Sequence, residues 1–236
     1  MSFNKYLVPI FCIIIIVSSA LANDAVFLRE DFYSLDNWKP LYFPKIKAHT
    51  KYSIETEGGT RYLKAESTAS ASALVYRKEF NVYEYPKAKW RWKVSNVYKK
   101  ALPGTKEGDD YPVRIYIVFK YDPARDSFFG KIKYEAIRAI YGQYPPDSTL
   151  NYIWASSPDN PTLMASPYTD RAQLIALERG STRVGEWVEE AVDILEDYRK
   201  AFGTEPPVMA SIAIMNDSDN TGENSVSYIS NIEVHK

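Results

Sequence analysis

The sequence predicts a mainly β protein: a single-domain, jelly-roll-like β-sandwich with one or two short helices in its connections. Three observations carry that expectation. Short apolar and aromatic runs alternate with clusters of Pro, Gly, Asn and Asp, the rhythm of a sandwich. Nineteen tyrosines and five tryptophans bias the composition toward residues that pack well on a pleated sheet. No internal repeat or long linker divides the 236 residues, a length sufficient for one sizeable core.

Residues 1–22 read as an export signal. Lys5 supplies the positive start, 6–17 the apolar core, and Ala20 and Ala22 the small residues before a cleavage point. The apolar run is about a dozen residues, short of the roughly 20 that span a bilayer. Cys12 lies inside it without a lipobox, so no lipid anchor is expected. Cleavage after Ala22 is expected to leave residues 23–236 as one periplasmic or secreted domain with no stable membrane span. Cys12 is the only cysteine, so that domain has neither disulfides nor thiolate ligands. His49 and His235 are the only histidines, which leaves little for a zinc site or a Ser-His-Asp triad. Basic and acidic residues number 29 and 30, a balance that argues against nucleic acid as a partner.

Strands are expected at 26–32, 52–56, 62–67, 73–80, 88–94, 111–121, 150–155, 173–178, 186–192, 210–215 and 226–234. Gly58 and Gly59 fit a two-residue hairpin turn between the second and third of these. Over 131–142 the apolar residues Ile132, Ala136, Ile137 and Ile140 recur at helical spacing, with Gly142 to end the helix. A second helix is expected at 194–202, closed by Gly203 and followed by Pro206 and Pro207. Trp187 and Ala191 would extend its period backward; a strand followed by a helix is the preferred reading.

The chemistry concentrates in three places. The loop 215–222 (Met-Asn-Asp-Ser-Asp-Asn-Thr-Gly) crowds oxygen ligands beside a glycine. Asp217, Asp219, Thr221 and Gly222 match positions one, three, five and six of an EF-hand loop, but Tyr228 stands where its closing Glu belongs. An EF-hand is therefore rejected. A calcium site closed by residues from elsewhere, direct ligand contact, and an Asx-rich turn that caps its own backbone stay open.

The second place is Gly108, Asp109, Asp110 and Tyr111, leading into a strand whose Val113, Ile115, Ile117 and Phe119 alternate toward a core. Arg114, Tyr116 and Val118 point the other way. Arg114 and Tyr116, with two aspartates at the strand entrance, read as a binding surface; the alternative is that Arg114 pairs internally with Asp109, Asp110 or a loop carboxylate. Third come the aromatics. Trp90 and Trp92 share one strand face and read as core, whereas Trp154, among Asn151, Ser156, Ser157 and Asp159, reads as a ring able to stack on a sugar. The E-x-D-x-E strand signature of sandwich-fold glycosidases is missing, and Glu189, Glu190 and Asp193 read as a solvated face, so no catalytic residue is assigned.

Residues 108–114, 150–154, 197–203 and 212–221, taken in order, resemble blocks of the bacterial domain family of unknown function numbered 3047. The resemblance runs from the region of Glu30 to the last strand. It implies an exported β-sandwich with no established activity, similar in fold to galactose-binding-like and concanavalin-like jelly rolls, many of which bind carbohydrate. Ser218 departs from the family pattern, which has Thr there, but keeps the oxygen. A jelly roll also sets its first and last strands side by side. That would bring Glu30 or Asp31 to a corner where carbohydrate-binding modules often hold calcium, as outside ligands for a second metal site.

The leading expectation is an exported, non-catalytic domain that binds a saccharide or another polar cell-envelope ligand. Its ligand-binding residues would be Asp109, Asp110, Arg114, Tyr116, Trp154 and Asn220. Asp217, Asp219 and Thr221 would hold calcium, the one candidate cofactor. The alternatives are a carbohydrate-active hydrolase or lyase using Asp109, Asp110 and Asp217, and an envelope structural or protein-interaction domain.

Overall fold

The computed structural model describes residues 25–141 and 144–236; the leader 1–22 and Gly142 lie outside the described residues. In chain order the strands are β1 (Val26–Glu30), β2 (Trp38–Leu41), β3 (Lys51–Glu57), β4 (Thr60–Thr68), β5 (Ala71–Tyr76), β6 (Phe80–Asn81) and β7 (Lys87–Val94). They continue with β8 (Arg114–Phe119), β9 (Ser148–Ala155), β10 (Leu163–Ala165), β11 (Ala172–Arg179), β12 (Val188–Asp193), β13 (Met209–Asp217) and β14 (Asn224–His235). Helix α1 (Phe128–Tyr141) joins β8 to β9, and α2 (Ile194–Phe202) joins β12 to β13.

Two sheets pack face to face. One runs β12-β7-β14-β4-β3, with β1 also paired to β14; the other runs β10-β11-β9-β8-β13-β5-β2, with β6 paired to β13. The expected neighbourhood of the terminal strands is present: Leu28 lies opposite Val234 and Glu30 opposite Ile232. The β3–β4 hairpin turns on Gly58 and Gly59, both at positive φ, as a two-residue turn of this hand requires.

Strand alternation sorts the core. Val113, Ile115, Ile117 and Phe119 are each 0% exposed. Trp90 and Trp92 project inward from β7 and meet Tyr152 and Trp154 of the opposite sheet at ring separations of 5.4 and 6.2 Å. Such aromatic pairs add about 0.5–1.5 kcal/mol each beyond the burial itself. This corrects the reading of Trp154 as a stacking ring. It is 0% exposed, and its indole N–H donates to the Gly180 carbonyl at 3.0 Å; of the polar residues around it in sequence, Asn151 is buried within β9, and Ser156, Ser157 and Asp159 follow the strand.

Helix α2 occupies the expected residues. The Asp193 side chain accepts the Glu196 N–H at its start, and Gly203, at φ 69°, closes it by donating to the Arg199 carbonyl. Helix α1 forms over Phe128–Tyr141. Ile132 is 53% exposed, while Tyr134 is buried and stacks on Tyr121 at 3.7 Å. The expected strand 111–121 is shortened to β8, because residues 106–113 fold back across the end of the sheet. The run 73–80 divides into β5 and β6, which both pair with β13, β5 along Ala213–Asp217 and β6 at Met209 and Ala210.

Candidate functional site

Two features occupy the outward face of the eight-stranded sheet: a buried polar node at one end and an open groove across the middle. Both follow from one alternation. Ile212, Ile214 and Asn216 of β13 point into the sandwich, so Ser211, Ala213, Met215 and Asp217 point out. On the adjacent β8, Arg114 lies opposite Met215 and Tyr116 opposite Ala213. Arg114 and Asp217 are therefore diagonal neighbours on the same face.

The node is built around that pair. Arg114 Nε donates to Asp217 Oδ1 at 2.8 Å, and a second guanidinium nitrogen donates to Asp217 Oδ2. The same guanidinium reaches the Asp109 carbonyl and, at 3.4 Å, Asp109 Oδ2. The ring of Tyr111 covers it at 4.5 Å. Gly108 makes this fold-back possible, since a Cβ there would overlap the Leu102 backbone. Arg114 is 4% exposed and Asp217 2% exposed. The internal pairing is thus the observed arrangement, and the expected open display of Arg114 to a ligand is corrected. Burial would lower the Arg114 pKa, but Asp217 and the other nearby carboxylates hold it well above its ordinary value. Burial pushes the Asp217 carboxyl up to about 7; Arg114 pulls against that shift, and Asp110 and Asp109 add to it.

The loop after β13 completes the node. Asp110 accepts the backbone N–H of Asn220 at 3.3 Å and of Thr221 at 2.6 Å, capping the turn from across the chain. Gly222, at φ 70°, closes that turn by donating to the Ser218 carbonyl at 2.9 Å. Asn216 and Ser218 face the other way, into the sandwich. Asn216 Oδ1 accepts from Tyr98 and Ser225, and Ser218 Oγ pairs with Ser67 Oγ at 2.6 Å. Asp219 is half-buried, with burial raising its carboxyl pKa first and Asp110 adding to the shift. Asn220 is exposed and donates to the Tyr168 hydroxyl. Of the sequence-selected residues, Asp109, Asp110, Arg114, Asp217, Asp219, Asn220 and Thr221 converge here. Trp154 does not, and Tyr116 lies in the groove beyond.

Among the described residues, one group of three or more metal-type side chains comes together: Asp110, Asp217 and Asp219. Among the described residues, neither Glu30 nor Asp31, expected at a second metal corner, belongs to such a group: Asp31 is exposed and Glu30 is bonded internally. Its Oε1 accepts the Phe32 N–H at 2.7 Å and its Oε2 the Trp38 indole N–H at 2.9 Å.

The groove has a volume of about 720 Å³, within the usual range for small-ligand sites. Its floor is Tyr116, Val118, Ala213 and Met215, its walls Phe43 on one side and Tyr144 on the other, with Lys39, Thr149 and Ser211 supplying polar groups. Among the described residues its one acidic lining residue, Glu79, is paired with Lys120 at 2.9 Å. Sequence reasoning found Tyr116 but missed the walls. The available signal was the pair of outward rows on β8 and β13, which leaves a shallow apolar floor between larger flanking side chains.

Fold and groove together define a two-sheet β-sandwich with an open-face cleft. The chain belongs to the family described as Protein of unknown function (DUF3047), whose model matches residues 36–233. No curated protein matches it in sequence. Among solved structures it is similar to the family 11 carbohydrate-binding module of the cellulosomal cellulase Lic26A-Cel5E of Clostridium thermocellum, at 10% identity and a TM-score of 0.45, covering 89% of this chain and 93% of that one. It is also similar to the family 30 module of the cellulase Cel9D-Cel44B of Clostridium thermocellum (8% identity, TM-score 0.39, 89% and 92% covered). A third is the Trichoderma harzianum endoglucanase 3 of family GH12 (6% identity, TM-score 0.38, 85% and 99% covered). Among the described residues, no helix is long and apolar enough to cross a membrane.

Proposed function

We propose that this protein is an exported, non-catalytic binding module whose groove on the eight-stranded sheet takes a saccharide of the cell envelope or its surroundings. The groove itself is the observation that carries the reading. Phe43, Tyr116 and Tyr144 offer ring faces that suit the C–H faces of a sugar, and Lys39, Thr149 and Ser211 offer the polar groups that meet hydroxyls at its edge.

The composition of the lining favours binding over hydrolysis. Glycoside cleavage requires two carboxylates across the sugar ring, whereas among the described residues this groove has Glu79 alone, paired with Lys120. The carboxylates of the enzyme alternative are committed elsewhere: Asp217 to Arg114, and Asp110 to the loop amides. Export rests on the leader 1–22 and its small residues at Ala20 and Ala22. A groove-free surface would have favoured a purely structural or protein-interaction domain.

The test is affinity electrophoresis and thermal shift of the mature chain against envelope and plant-type glycans. A binding glycan raises the melting temperature, because it binds the native state alone. Silence across the panel would move the weight to the protein-interaction reading.

A further inference from the structure

We propose that the groove takes an acidic polysaccharide, held by cations on both of its walls; this rests on the groove being the saccharide site. Its source is a local imbalance of charge. Across the whole chain basic and acidic residues number 29 and 30, yet residues 37–54 carry Lys39, Lys45, Lys47 and Lys51 and no Asp or Glu. That stretch comprises β2, the connection that builds the Phe43 wall, and the start of β3. Among the described lining residues, Lys39, Lys120 and Arg138 stand against a single acid, Glu79.

The connection is fastened to the sheet, so its charges are held on the rim. Phe43 and Ile46 pack on Ala71, Ala73 and Met215 of the outward face. The Ile46 N–H donates to the Phe43 carbonyl at 2.9 Å, closing a turn with Pro44 and Lys45 at its corners. Further along, the rings of Tyr42 and His49 lie 4.4 Å apart, and the Thr50 hydroxyl donates to the Asn216 carbonyl at 2.7 Å. Lys39, Lys45 and Lys47 are exposed and form no ion pair among the described residues.

On the opposite wall the Arg138 guanidinium lies over the Tyr144 ring at 5.0 Å. Its pair with Glu135, like that of Lys120 with Glu79, is exposed on both partners. Exposed pairs contribute little net stability, so these cations are free to exchange their partners for the anionic groups of a ligand. A cleft lined by one sign of charge focuses its field at the opening and concentrates ligands of the other sign there. A bilayer surface is flat, whereas a concave groove with aromatic walls suits a chain of sugar rings.

The experiment is calorimetric titration of the mature chain with polygalacturonate and dextran sulfate, against neutral dextran and mixed-linked β-glucan, in about 20 mM and about 200 mM NaCl. Polygalacturonate presents carboxylates and dextran sulfate presents sulfate esters, so the two arms identify the anion. Two variants accompany the wild type. Lys39→Gln/Lys45→Gln/Lys47→Gln removes the unpaired charges of the wall, and Lys87→Gln/Lys99→Gln/Lys236→Gln removes exposed charges that do not line the groove. All these side chains are exposed, so melting temperatures should match the wild type.

The wild type is expected to bind an acidic polymer about tenfold or more tighter than the neutral ones, and to weaken as salt rises. The wall variant should lose about tenfold or more of that affinity, and the distal variant should keep it. Neutral glycans bound as tightly as acidic ones would overturn the inference and leave the groove a saccharide site. Silence toward every polymer would overturn both. Undiminished affinity in the wall variant, or an equal loss in both variants, would also contradict it. So would capture by phosphatidylglycerol vesicles without binding of either acidic polymer.

Discussion

Arg114 and Asp217 stand on one face of adjacent antiparallel strands, joined at 2.8 Å between Nε and Oδ1 and closed off from solvent by Tyr111 and the 106–113 segment. The pair fastens the entrance of β8 to the end of β13. A guanidinium in that position organises the sheet end and is not available to a groove ligand.

Removing one partner strands the other. Arg114→Ala is expected to cost about 3–5 kcal/mol, the usual penalty for breaking a buried pair, as read by chemical denaturation. A double-mutant cycle with Asp217→Ala should give a coupling of about 0.5–3 kcal/mol. Simple additivity of the two substitutions would contradict the pairing.

Trp154→Ala tests the other half of the correction. With its ring against Trp92 and its N–H on the Gly180 carbonyl, the substitution should cost about 3–5 kcal/mol through cavity formation. Ligand affinity per folded molecule should stay unchanged, because the ring faces the interior. A selective loss of affinity at wild-type stability would return Trp154 to the binding surface.

Gly108 has a backbone role. Gly108→Ala forces Leu102 and the 3₁₀ turn at Lys106–Gly108 apart, and is expected to destabilise by about 1–3 kcal/mol, as overpacking generally does. Hydrogen exchange should rise first at Tyr111, whose amide donates to Asp217. Unaltered exchange there would show that the segment docks independently of Gly108.

Glu190 sets a pH dependence. Burial pushes its carboxyl up to about 7, with Glu178 adding to the shift and the Trp92 indole N–H opposing it. The folded pKa lies above the unfolded value, so native Glu190 holds its proton where the unfolded chain has lost it. That contribution to stability is present at low pH and disappears as pH rises toward about 7. Glu190→Gln should flatten the fall in melting temperature between about pH 4.5 and 7, the unfolded and folded values. An identical pH profile in the variant would refute the assignment.

Much of this was legible in the sequence where local chemistry and the fold agree. Helix α2 carries its own caps in Asp193 and Gly203, and the Val113, Ile115, Ile117, Phe119 alternation names the core face unaided. β2 was not legible, because Pro40 argues against a strand. It is tolerated there because β2 is the outermost strand, with no neighbour needing the missing N–H. The short edge strand β10 left no periodicity to read. Arg114 was placed on the correct face, but alternation says nothing of what covers a face, and the Tyr111 segment covers it. The groove walls come from Phe43 and Tyr144, about a hundred positions apart in the chain, and only the tertiary fold brings them together.

The most direct measurement is isothermal calorimetry of the mature chain and the doubly substituted Phe43→Ala/Tyr144→Ala chain against the glycan selected by the panel. Loss of at least about tenfold in affinity, or about 1.4 kcal/mol, at unchanged stability is the expected result. Undiminished affinity after both walls are removed would contradict the assignment of the groove as the binding site.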